Sequence, residues 1–95
     1  MFEGDCGELC DLVVIENRRG LHARAAAKFV RVAEAFKADI AVMRDDLRVS
    51  GRSIMGLMML AATCGTQLKL VATGEDAHAA IEQLTLLVKR RFDED

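Results

Sequence analysis

The apolar positions of this chain change period along its length, and each change marks an element. Leu12-Val13-Val14-Ile15 is a β-branched run that stops at Asn17, which predicts a first strand. From Ala23 the period becomes helical: Ala23, Ala26, Ala27, Val30 and Ala33 recur at steps of three and four, widened by Phe29 and Phe36. A helix from about Ala23 to Phe36 follows, closed by Lys37-Ala38-Asp39. Ile40 to Met43 and Leu47 to Val49 read as a hairpin around an acidic turn at Asp45-Asp46. Ser53 has the chemistry of an N-cap for a second helix from Ile54 to about Ala62, with Gly65 placed to end it. Thr66 to Thr73 alternates Leu68, Leu70 and Ala72 against Gln67, Lys69 and Val71, a strand with one wet side that Arg44 and Arg48 share. A last helix, capped by Thr73 or Gly74, buries Ala77, Ala80, Ile81, Leu84, Leu87 and Val88 and carries Lys89-Arg90-Arg91 at its negative end. His78 on this helix is expected to face solvent. The order is β-α-β-β-α-β-α, an α+β arrangement in which three helices must cover a sheet face.

Length and composition narrow the setting. A chain of 95 residues makes one domain able to bury a single core without metal or disulfide help. The expected division is a flexible extension over 1–9, one domain over 10–92 and a frayed acidic tail over 93–95. Hydrophobic residues reach 52%, but alanine supplies much of that, and no apolar run is long enough for a membrane span or a secretory signal. The expectation is a cytoplasmic monomer with no membrane insertion. Cys6, Cys10 and Cys64 read as free thiols of a reducing compartment, Cys64 as a small packing residue. Cys6 and Cys10 lack the further soft ligands a metal site needs, and neither metal nor cofactor is expected. A net charge of −2 with no Trp or Tyr argues against nucleic acid as a partner.

Charge is distributed unevenly, and the exception surrounds a histidine. From Arg18 to Arg31 there are five basic residues, Arg18, Arg19, Arg24, Lys28 and Arg31, and no acidic one, against a chain total of 13 basic and 15 acidic. Gly20-Leu21-His22 places His22 at the start of the first helix, where backbone N–H groups lack intrahelical partners and the helix end carries partial positive charge. An anion held on that ring would face donors, and the forked guanidinium of Arg24 suits phosphate oxygens. An imidazole, with an unperturbed pKa of about 6.5, keeps a nucleophilic lone pair near neutral pH. Attack on phosphorus would give a phosphoimidazole whose weak N–P bond allows the group to be handed on. A lone histidine is more often a surface or capping residue than a nucleophile, and spacing alone leaves both readings standing.

Gly20-Leu21-His22-Ala23-Arg24-Ala25-Ala26, followed by Arg52-Ser53-Ile54-Met55-Gly56-Leu57-Met58, resembles the two signature segments of the HPr family, histidine-containing phosphocarriers of the bacterial phosphoenolpyruvate-dependent phosphotransferase system. The step of 31 positions from His22 to Ser53 matches the family's usual spacing, and the resemblance covers about residues 11–91. It implies an open-faced β-sandwich, a four-stranded antiparallel sheet with three helices on one face. It implies a phosphoryl carrier with a phosphohistidine intermediate rather than a stand-alone enzyme, in which His22 takes the group from phosphorylated Enzyme I and gives it to an Enzyme IIA while Arg24 stabilises the phosphate. In relatives from bacteria with HPr kinase/phosphorylase, the serine matching Ser53 is phosphorylated with ATP, and transfer to the histidine is hindered. The resemblance further implies a docking surface of Ala23, Ala27, Ile54, Met55 and Met58, ringed by Arg24, Lys28 and Arg52. A nitrogen-related branch shares the same chemistry, with partner binding rather than sugar uptake as its output. One departure stands out: Ala25 occupies a position where the family most often has proline, which restores an N–H in the first helical turn.

Overall fold

Alternation along the strands decides which side of the sheet is covered. In the computed structural model, which describes residues 2–3 and 8–94, the elements in chain order are β1 (Phe2–Glu3), β2 (Leu9–Val14), α1 (Ala23–Glu34), β3 (Asp39–Arg44) and β4 (Leu47–Ser50). These are followed by α2 (Ile54–Met59), β5 (Gln67–Thr73), α3 (Ala77–Lys89) and a 3-10 turn at Arg91–Asp93. The register pairs Val13 with Leu68 and Val42 with Leu70, so the inward residues of neighbouring strands line up on one face. Val13, Ile40, Val42, Leu68, Leu70 and Ala72 belong to the core cluster that the helices cover.

Every pairing is antiparallel and the spatial order is β1-β2-β5-β3-β4. The strand β5, late in sequence, therefore lies between β2 and β3. The four long strands and three helices form the expected open-faced sheet. A fifth, two-residue strand adds to it: β1 pairs Phe2 with Cys10 and Glu3 with Leu9, where the sequence suggested only a flexible extension. The rest of that extension, 1 and 4–7, lies outside the described residues, as does Asp95.

Helix α1 buries Ala26, Phe29, Val30 and Ala33 as its spacing predicts, but Ala25 takes the place expected of Ala23, which is exposed, and Ala27 and Phe36 are only half-buried; α3 buries the predicted Ala77, Ala80, Ile81, Leu84, Leu87 and Val88. Helix α1 stops at Glu34 rather than Phe36, and α3 begins only after Asp76, with neither Thr73 nor Gly74 as its cap. His78 is exposed. Helix α2 is shorter than the apolar run suggested. It ends at Met59, capped by Leu60, and the left-handed residue that closes it is Ala61 (φ 51°) rather than Gly65, which lies four residues further on. The reason is tertiary. Arg44, expected on the wet face, turns to the helical side and donates Nη1 to the carbonyls of Leu60 (2.9 Å) and Ala61 (2.8 Å), satisfying groups a helix end leaves orphaned. Gly65 instead donates its N–H to Ile15 at 2.7 Å, extending the β2–β5 pairing. Cys64 is exposed beside this turn rather than packed, its Sγ 3.6 Å from the Glu16 carbonyl. Among the described residues no helix is long and apolar enough to cross a membrane.

Candidate functional site

The histidine loop is held by the end of α2. Leu21 donates its N–H to the Ala62 carbonyl at 2.8 Å, and Gly20, at φ +69°, lies so close to that carbonyl that an added Cβ would sit 2.4 Å from its oxygen. Only glycine combines that φ with that approach. His22 is the N-cap of α1, with extended backbone at φ −78° and ψ 178°, and its carbonyl accepts the Ala26 N–H at 2.8 Å. The imidazole makes no capping bond to the helix.

What the ring does instead was invisible in the sequence. His22 Nε2 lies 2.9 Å from Oε1 of Glu94, with the two side chains 24% and 17% exposed. Glu94 was read as part of a frayed tail, and that reading is corrected here: the turn after α3 folds back and carries Glu94 onto the histidine. Phe92 anchors the turn, fully buried in the core. Lys28 Nζ grips its carbonyl at 2.7 Å, and Arg90 Nε pairs with Asp93 Oδ1 at 3.1 Å. Arg91, Phe92 and Asp93 all have positive φ, 59°, 55° and 61°. Left-handed backbone costs non-glycine residues about 1–2 kcal/mol each, so the turn stands only because Phe92 and the contacts around it hold it.

Asn17 completes the cluster. It is fully buried, and its Nδ2 donates to the Gly20 carbonyl at 2.8 Å and to Glu94 Oε1 at 2.9 Å. Both partners are acceptors, so the amide orientation is set by chemistry. The Gly20 N–H returns a bond to the Asn17 carbonyl at 3.1 Å, closing an Asn-x-x-Gly turn where the sequence marked only the end of a strand. The hydrogen bonds from His22 and Asn17, ahead of the charges of His22 and Arg19, hold the Glu94 carboxyl below the usual carboxylate range against the opposing effect of burial. Arg19, unassigned from sequence, thus contributes charge to this site.

Of the other residues singled out, Arg24 is exposed in the first turn of α1, Ala23 is exposed and Ala27 half-buried. On α2, Ile54, Met55 and Met58 are exposed, Met55 by 77%, while Leu57 is buried. Ser53 caps α2 as expected, its Oγ accepting the Gly56 N–H at 2.9 Å. Helix α2 runs back along α1: Ala62 meets the loop before α1, whereas Arg52 Nη2 donates to the Phe36 and Ala38 carbonyls beyond its end, at 2.9 and 3.0 Å. Arg24 and Lys28 therefore stand on the first turns next to His22. Arg52 and Ser53 lie toward the opposite end of α1, a helix about 18 Å long at its 12 residues.

A family model described as "PTS HPr component phosphorylation site" matches residues 11–90. The chain is 48% identical over 82 residues to the phosphocarrier protein HPr of Neisseria meningitidis serogroup A, covering 86% of this chain and 92% of the relative. It is 40% identical over 82 residues to the phosphocarrier protein NPr of Shewanella violacea, covering 86% and 90%. A solved structure of HPr-C-His from Thermoanaerobacter tengcongensis superposes with a TM-score of 0.88 at 40% identity, covering 92% of this chain and 98% of that one. A four-stranded open sheet under three helices, a histidine at the first helix cap and a match spanning nearly the whole domain lead to one conclusion: the chain belongs to the HPr family of phosphocarrier proteins of the phosphotransferase system.

Proposed function

We propose that His22 accepts a phosphoryl group from phosphorylated Enzyme I, itself charged by phosphoenolpyruvate, and passes it to an Enzyme IIA. The observation that carries this reading is the state of the imidazole: it caps α1, is open to solvent on one side, and has Nε2 engaged by Glu94, leaving Nδ1 as the nitrogen with a lone pair to offer. By connectivity Nδ1 is the ring nitrogen nearer the backbone, hence nearer the unpartnered N–H groups of the first helical turn. Arg24 supplies fixed positive charge for the dianion.

Ala23, Ala27, Ile54, Met55 and Met58 form the docking surface, with Lys28 at its edge and Arg52 marking its far margin. Methionines suit a face that must fit both donor and acceptor proteins, because their side chains repack readily. Ser53 is the site at which HPr kinase/phosphorylase would act; a phosphate there adds about two negative charges to the docking face without opposing the α2 dipole. The protein works as a cytoplasmic monomer. The kinship to an NPr supports a second reading, a nitrogen-branch regulator with the same chemistry at His22 and a different Enzyme IIA.

Incubation with phosphoenolpyruvate and Enzyme I tests the assignment. Acid-labile phosphate is expected on the wild type and absent from His22→Ala; label retained in the variant removes His22 from the role. Incubation with ATP and the kinase should give acid-stable label that Ser53→Ala loses.

A further inference from the structure

We infer that Glu94, oriented by Asn17, is a positioning residue for the chemistry of His22: it keeps the ring proton on Nε2, so that Nδ1 presents the lone pair, and it balances the positive charge the ring acquires when Nδ1 bonds phosphorus. The inference rests on the reading of His22 as the phosphoryl acceptor.

The geometry supports each part. An ionised carboxylate can only accept hydrogen bonds, so the 2.9 Å contact between Glu94 Oε1 and His22 Nε2 requires the proton to sit on Nε2. The same Oε1 accepts from Asn17 Nδ2 at 2.9 Å, and Asn17 is itself fixed by the Gly20 carbonyl in the loop that presents the histidine. Glu94 is thus registered to His22 through the loop as well as directly. The turn that delivers it is held by Phe92 in the core and by Lys28. Three consecutive non-glycine residues in left-handed backbone immediately before Glu94 show a conformation that local preference would not choose.

In the forward step the Nδ1 lone pair forms the N–P bond while the bond from phosphorus to the donor atom of phosphorylated Enzyme I breaks, its electron pair returning to that atom. No proton leaves His22. The His22 ring thereby gains one positive charge, and Glu94 faces it at the nitrogen that bears the proton. In the onward step a lone pair of the Enzyme IIA acceptor forms the new bond to phosphorus as the N–P electrons return to Nδ1, and the retained proton makes the departing group a neutral imidazole, a better leaving group than an imidazolate. A carboxylate that orients a histidine and compensates its charge does the same work for the general base of a serine hydrolase.

The test uses the full chain carrying Glu94→Gln, Glu94→Ala or Glu94→Asp. Nitrogen-15 spectra of the unphosphorylated protein read the tautomer, and initial rates with phosphoenolpyruvate and Enzyme I read kcat and KM for this chain as substrate. The wild type should be protonated at Nε2 alone, with both tautomers present in Glu94→Ala. Turnover should fall about ten- to a hundredfold in Glu94→Ala and Glu94→Gln with KM unchanged, and recover in part in Glu94→Asp. Wild-type label on His22 together with an unaltered tautomer or an equal or faster rate in Glu94→Ala overturns the inference. Absence of label on His22 in the wild type overturns instead the reading it rests on, and the tautomer spectra still judge the role of Glu94 by themselves.

Discussion

Alanine at position 20 should damage this protein more than alanine at position 65, although both glycines have positive φ. Gly20 has φ +69° and Gly65 has φ +95°, so either substitution places a side chain in left-handed backbone, at about 1–2 kcal/mol. The surroundings differ. A Cβ at Gly65 meets nothing within 4 Å, whereas one at Gly20 lands 2.4 Å from the Ala62 carbonyl oxygen and 3.0 Å from Thr63 Cα. Backbone cannot step aside as a flexible side chain would. That same oxygen accepts the Leu21 N–H at 2.8 Å, and displacing it forfeits a bond worth about 0.5–1.5 kcal/mol. The expected cost is therefore about 1.5–3.5 kcal/mol for Gly20→Ala against about 1–2 kcal/mol for Gly65→Ala. At about 4–8 °C per kcal/mol for a domain of this size, Tm should fall by roughly 6–28 °C and 4–16 °C respectively. Thermal and urea melts followed by circular dichroism read the difference. Because His22 is two residues beyond Gly20, its phosphorylation rate should fall as well in Gly20→Ala, measured below the melting range, and stay near wild type in Gly65→Ala. Equal melting points for the two variants would refute the claim that contact between this loop and the end of α2 sets the site.

Removing the α2 cap with Ser53→Ala should cost about 1 kcal/mol, while Ser53→Asp, which keeps an acceptor for the Gly56 N–H, should melt close to wild type yet slow transfer from Enzyme I. Glu94 has its pKa lowered in the folded state, chiefly by its bonds to His22 and Asn17, so its ionised form adds stability above the unfolded value of about 4.3 and loses it as pH falls through the folded value. The stability gap between wild type and Glu94→Gln should accordingly be constant near neutrality and shrink below about pH 4, as urea melts across that range would show. Lys28→Met keeps the aliphatic stem but loses the bond to the Phe92 carbonyl, and faster amide exchange confined to 90–94 is the expected result. Ala25 is buried in the first turn of α1, where proline is tolerated, so Ala25→Pro should fold and carry phosphate at near wild-type rates; a marked fall would give that N–H a part in transfer.

Local patterns carried much of this protein. The stripes of α1 and α3, the alternation of β5, the hairpin and the Ser53 cap all depend on neighbours within a few residues, and period and capping chemistry report such neighbours directly. His22 at a helix start, inside a basic stretch, was legible for the same reason, and its spacing to Ser53 pointed to the family. Three features depended on distant partners. Helix α2 ends early because Arg44 reaches the carbonyls of Leu60 and Ala61, an arginine expected on the wet face although it shares the parity of Ile40 and Val42, which face the helices. Asn17 marked only the end of a strand until its amide was found spanning the Gly20 carbonyl and a carboxylate 77 residues away. Glu94 sits in an acidic stretch with no periodicity, and nothing within reach along the chain announces that burial of Phe92 will swing it onto the histidine. The sequence by itself determined most of the elements and the placing of His22 at a helix start; tertiary structure alone decided that Nε2 of that ring is engaged, because a hydrogen bond across 72 residues costs loop-closure entropy that only a finished core can repay.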